Sequence, residues 1–162
     1  MSSNSITTAS LFTLLEGTWT GQGRGQFPTV KSFDYREILT FTRRDEKTLA
    51  YEQRAQKRYD GQTEWLVSHW ENGFIRELEN GELEMINAQI GRSEVLIGSV
   101  ESLDTVICIR FVSKTITNDA RMISSARTFE LDGDSLRYEM EMQTTAVDNS
   151  TKHLEVTLRR MK

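Results

Sequence analysis

Short runs of β-branched and aromatic residues, each bounded by a turn signal, are the feature that most constrains this chain. Thr18-Trp19-Thr20, Ile38-Leu39-Thr40-Phe41-Thr42, Trp65-Leu66-Val67, Val95-Leu96-Ile97 and Val106-Ile107-Cys108-Ile109 suit a pleated, half-buried surface. Asp60-Gly61, Asn72-Gly73, Asn80-Gly81 and Asp132-Gly133 are dipeptides that favour tight hairpins, whose turns need positive φ. Turn signals recur at intervals of about 8–12 residues, the spacing of an all-β sandwich or barrel. Because most connections read as hairpins, an antiparallel up-and-down β-barrel of about ten strands fits better than a sandwich with crossovers. Closure also removes the exposed edges that aggregate. One short helix precedes the strands. Thr7, Thr8 or Ser10 can cap it, Leu11, Leu14 and Leu15 form its apolar stripe, and Gly17 stops it.

The chain has 162 residues and shows no linker, low-complexity tract or repeat, so it reads as a short flexible N-terminus over 1–10 and one domain over 11–162. With 37% hydrophobic and 27% charged residues it is not disordered by composition. A net charge of -4 gives no basic footprint for nucleic acid. No run approaches the roughly 20 apolar residues of a membrane helix, and no signal peptide is visible at the N-terminus. A single cysteine, Cys108, excludes an internal disulfide and a multi-cysteine zinc site. A cytoplasmic protein is expected. Only two histidines are present, His69 and His153, so any imidazole chemistry uses one or both.

The segment Gly17-Thr18-Trp19-Thr20-Gly21-Gln22-Gly23 is not a phosphate loop, because it lacks the Gly-Lys-Ser/Thr ending and sits on a strand. Glycines alternating with Trp19 suit a first barrel strand that another backbone approaches closely. On a later strand Leu136, Tyr138, Met140 and Met142 share one face, which reads either as core or as the wall of an apolar cavity.

As a pattern, Gly17-x-Trp19-x-Gly21-x-Gly23 followed by Phe27-Pro28-Thr29 and Phe33-Asp34-Tyr35-Arg36-Glu37 resembles the nitrobindin family of haem-binding β-barrels. The likeness continues through His69-Trp70-Glu71-Asn72-Gly73-Phe74-Ile75-Arg76, Ala88-Gln89, Phe129-Glu130-Leu131 and the closing segment from His153-Leu154 to Arg159-Arg160. The resemblance implies ferric haem b in a shallow pocket at the barrel mouth, with His153 as the iron ligand. It places His69 on the distal side, Thr29 against the haem, Met142 and Gln89 on the wall, and Arg121 towards a propionate. It also implies isomerisation of peroxynitrite to nitrate, binding of nitric oxide, and an apolar pocket with little distal hydrogen bonding. The runner-up is a non-enzymatic carrier of a small apolar ligand such as a fatty acid. The sequence leaves a homodimer open.

Strand alternation complicates both imidazoles. His153 falls in phase with Glu155 and Thr157, opposite Leu154, Val156 and Leu158. Either that polar face is the cavity side, or a bulge re-aims the side chain. His69 falls in phase with Trp65 and Val67. The loop before His153, Val147-Asp148-Asn149-Ser150-Thr151-Lys152, lacks the prolines common in the family and is one residue longer.

Overall fold

The computed structural model of the protein describes residues 6–27 and 30–162. A helix, α1 (Thr8–Leu15), precedes ten strands: β1 (Gly17–Phe27), β2 (Val30–Arg43), β3 (Thr48–Tyr59), β4 (Leu66–Glu77), β5 (Leu83–Gln89), β6 (Arg92–Leu103), β7 (Val106–Thr117), β8 (Met122–Asp132), β9 (Ser135–Thr144) and β10 (Thr151–Arg160). Each strand pairs antiparallel with the next, and β10 pairs with β1, so the sheet is a closed up-and-down barrel.

The β1 glycines make the closure possible. Opposite β10, a Cβ on Gly21 would lie 2.2 Å from the Thr157 carbonyl oxygen, and one on Gly23 would lie 2.2 Å from that of Glu155. Any side chain there would push the closing strand away. Three of the four Asx-Gly dipeptides form turns, with Gly61, Gly81 and Gly133 at positive φ. Asn72-Gly73 does not. It lies inside β4, paired with Glu52 and Tyr51 on β3, and Gly73 is needed because a Cβ would meet the Ile86 carbonyl and the Tyr51 ring.

Helix α1 closes one end. Thr7 caps it by accepting from the Ser10 N–H, and Arg160 donates to the Leu14 and Glu16 carbonyls at its C-terminus. Its buried face is Leu11, Phe12 and Leu15, whereas Leu14 points outward. Of the three caps the sequence allows, Thr7 is the one used, and Phe12 replaces Leu14 on the buried stripe. These side chains join Trp19, Leu39 and Phe41 in the core, and the Trp19 indole N–H donates to the Leu15 carbonyl at 2.9 Å. Burying each large apolar side chain contributes roughly 1.5–3 kcal/mol. The connections after β3, β5, β7 and β9 lie at the opposite end, which is the barrel mouth.

Candidate functional site at the barrel mouth

A cavity of about 180 Å³ opens at the mouth. One wall is apolar, formed by Phe33, Met140, Met142 and Leu154, and the other is polar, formed by Tyr35, Gln53, Ser68, His69, Gln89 and Arg92. The resemblance implied an apolar pocket, and the structure corrects this: half of the lining carries hydrogen-bonding groups. A larger groove of about 650 Å³ lies between Ile38, Arg54, Val67 and Trp70, and shares His69 with the mouth cavity.

His153 reaches the interior through a bulge. Lys152 pairs with Glu141 and Leu154 with Met140, so the register with β9 shifts by one residue at His153. The extra residue lets two consecutive side chains, His153 at 4% exposure and Leu154 at 7%, both turn inward. Of the two alternatives open in the sequence, the bulge is the one realised, because Leu154, Val156 and Leu158 occupy the interior face. The imidazole Nε2 lies 2.8 Å from the Thr151 hydroxyl oxygen. The ring also hydrogen-bonds the Met142 main chain. Burial pushes the imidazole pKa below its ordinary value; the Met142 bond opposes this, and the charge of Arg92 adds to it. A neutral ring keeps a lone pair for a metal.

His69 is placed by a second bulge. Ala55 pairs with His69 and Gln56 with Val67, leaving Ser68 unpaired on β4. His69 therefore does not share a face with Val67, which is 71% exposed while His69 lines the cavity. Gln89 and Met142 also line it. Thr29 lies outside the described residues. Arg121 is not brought to the cavity: its side chain is 83% exposed, and its guanidinium is held by Asp119 in the connection after β7. The cationic residue that does line the cavity is Arg92, whose Nε donates to Glu94 at 3.0 Å and whose Nη2 lies 3.5 Å from the Met142 sulfur.

Beneath the polar wall lies a network that the sequence reading missed. Arg127, almost wholly buried, donates through Nη1 and Nη2 to the two Glu71 oxygens at 2.5 and 3.0 Å, and through Nη2 to Glu94 at 2.8 Å. Tyr51 donates to Glu71, Ser125 to Glu94 at 3.1 Å, and His69 Nε2 lies 3.0 Å from Glu71 Oε2. Burial raises the Glu71 pKa, but the Arg127 charge and the His69 contact outweigh it and bring it to about 2. Burial lifts the pKa of Glu37, which is joined by Tyr35 and Gln53, to about 8; the Gln53 bond and the Arg127 charge oppose this and the Glu71 charge adds to it. Two interior glutamates therefore hold opposite charge states at neutral pH.

A closed ten-stranded antiparallel barrel, plugged by a helix at one end and carrying at the other a cavity lined by the His69 imidazole, with His153 buried next to the lining residue Leu154, defines a small-ligand-binding barrel. Residues 9–160 match the family described as the THAP4-like, heme-binding beta-barrel domain, and the chain belongs to that family. The chain is 37% identical over 138 residues to peroxynitrite isomerase 1 of Mycolicibacterium paratuberculosis, covering 83% of each chain. It is 35% identical over 156 residues to the peroxynitrite isomerase of Nocardia farcinica, covering 94% of this chain and 89% of the relative. The crystal structure of Rv2717c from M. tuberculosis superposes with a TM-score of 0.82 at 26% identity, covering 98% of this chain and all of the other.

The mouth residues fit a haem by their chemistry. A bulge delivers one buried imidazole, thioether and aromatic side chains form an apolar wall, and Arg92 supplies a cation for a carboxylate. At about 180 Å³ the cavity is below the roughly 300–1,000 Å³ typical of ligand pockets, so seating a macrocycle needs side chains to give way. Met140, Met142 and Arg92 are unbranched and flexible enough to do so.

Proposed function

We propose that this protein is a haem-dependent peroxynitrite isomerase that also binds nitric oxide. The observation that carries the reading is the β10 bulge, which gives the only imidazole in the closing strand an interior position that strand alternation would deny it. The family match and the names of the relatives support it.

In this reading His153 would hold the iron through a ring nitrogen, and Arg92 would meet a propionate. Bound there, the haem supplies the iron centre at which peroxynitrite rearranges to nitrate. The protein's part is binding and electrostatics. Phe33, Met140, Met142 and Leu154 exclude water on one side of the cavity. On the other side the Gln53 and Gln89 amides offer donors to a small anionic ligand. Burial keeps His153 neutral, so it binds metal without first losing a proton.

The polar wall and the buried Glu71–Arg127–Glu94 cluster disfavour a fatty-acid carrier, because an alkyl chain entering the barrel would lie against desolvated charge. Stopped-flow decay of peroxynitrite with hemin-loaded protein, scored by nitrate yield, tests the proposal. Acceleration with nitrate as the dominant product is expected. A hemin-loaded protein that leaves both rate and product ratio at the values of free hemin contradicts it.

A further inference from the structure

Glu71 is 0% exposed, and Arg127 donates to both of its oxygens. Tyr51 adds a third donor. An ionised carboxylate can only accept. The fourth contact, His69 Nε2 at 3.0 Å from Glu71 Oε2, is therefore an N–H donating to the carboxylate. For the neutral ring this fixes the tautomer: the proton sits on Nε2, and Nδ1 carries the lone pair. Among the described residues Nδ1 makes no hydrogen bond, and the ring that carries it lines the mouth cavity with its side chain 28% exposed.

We infer that Glu71, clamped by Arg127, locks His69 as a proton acceptor at the cavity, where Nδ1 takes the proton of the protonated peroxyacid and leaves the anion in the site. His69 is the catalytic residue in this step, and Glu71 and Arg127 are positioning residues. The step balances: the O–H bond of the peroxyacid breaks, an Nδ1–H bond forms, and the resulting imidazolium is offset by the Glu71 carboxylate behind it. The proton then leaves to solvent from the exposed edge of the ring. An imidazole of the opposite tautomer would present a donor instead, and would bind the protonated substrate without ionising it. The same logic recurs wherever a buried carboxylate orients a catalytic histidine. The inference rests on the peroxynitrite reading for its substrate but not for its tautomer.

The test has two arms. Long-range ¹H–¹⁵N correlation spectra of the full-length protein before hemin is added read the tautomer directly. The inference expects Nε2–H with a slowly exchanging proton in the wild type. Glu71→Gln relaxes this, because a carboxamide can accept from Nε2 or donate to it. Where loss of one of the two carboxylates that Arg127 holds prevents that variant from folding, Glu71→Gln/Glu94→Gln/Arg127→Met removes the charged cluster together. An Nδ1–H tautomer, or a mixture in the wild type, overturns the inference.

In the second arm, hemin-loaded wild type and variant are compared across the pH range in which peroxynitrite titrates. Loss of Glu71 is expected to lower the second-order rate about 10–100-fold on the acid side, where substrate is protonated, and to leave the alkaline side unchanged. A uniform loss at every pH assigns Glu71 a merely structural role and overturns the inference. Failure of the wild type to take up hemin overturns the peroxynitrite reading and the proton-transfer step together, while the tautomer result stands.

Discussion

Thr151 Oγ and His153 Nε2 lie 2.8 Å apart, two residues from one another at the bulged start of β10. The hydroxyl thereby occupies a nitrogen that an iron centre would need. A neutral hydrogen bond of this kind contributes about 0.5–1.5 kcal/mol. Thr151→Val keeps the shape and β-branching but removes the hydroxyl, so where Nε2 is the ligating nitrogen hemin binds about 2- to 10-fold tighter. Soret titration measures the change. Weaker binding by the variant would show instead that Thr151 holds the ring in its ligating orientation.

Arg92 and Arg121 make opposite predictions. Arg92 lines the cavity, whereas Arg121 is spent on Asp119 at the surface. Arg92→Gln should weaken hemin binding by about 2- to 5-fold, the scale of a partly exposed ion pair. It should also flatten the dependence of binding on ionic strength. Arg121→Gln should change neither quantity. A salt-sensitive loss confined to Arg121→Gln would return the propionate contact to the connection after β7.

The Glu71–Arg127–Glu94 cluster is buried charge, and breaking it from one side is costly. Arg127→Leu leaves two carboxylates in the interior without their shared cation, and the expected loss is about 3–5 kcal/mol. Urea unfolding should show a lower midpoint with an unchanged slope. A loss under about 1 kcal/mol would mean that the glutamates take up protons at little cost.

The interior glutamates also set the pH dependence of stability, with opposite signs. Glu71 is held at about 2 in the fold against an ordinary 4.5, so its contribution is complete above pH 4.5 and is lost as pH falls towards 2. Glu37 is raised to about 8, so the folded state binds its proton more tightly, and stability is lost as pH rises from 4.5 to 8. Glu37→Gln should remove the alkaline loss, so thermal melts across that interval should be flatter than those of the wild type. An unchanged slope would place the titration elsewhere.

Much of the barrel was legible because its determinants are local. Asp60-Gly61, Asn80-Gly81 and Asp132-Gly133 supply the positive φ that their turns require. The alternating glycines of β1 announce the close approach of β10. Asn72-Gly73 misled because its glycine answers a close contact across strands rather than a turn. The family motif pointed to His153, His69, Gln89 and Met142 at one end of the barrel, but not to how the histidines enter. A bulge depends on register with a neighbouring strand, which one strand's own alternation does not contain. The buried network left a signal that went unused. Glu37, Glu71, Glu94 and Arg127 each stand in phase with apolar inward residues: Leu39, Ile75, Leu96 and Phe129 respectively. A charge on the core face of a strand demands a partner, although only the closed sheet brings Arg127 of β8 to Glu71 of β4. Arg92 was hidden for the same reason, since nothing near it in sequence marks it as a mouth residue.

The central claim is that the bulged imidazole of β10 holds the haem. Hemin titration of the wild type and of His153→Ala, followed in the visible spectrum, tests it most directly. The account predicts a Soret band in the wild type that shifts or disappears in the variant. Equal affinity and identical spectra for the two proteins would contradict it.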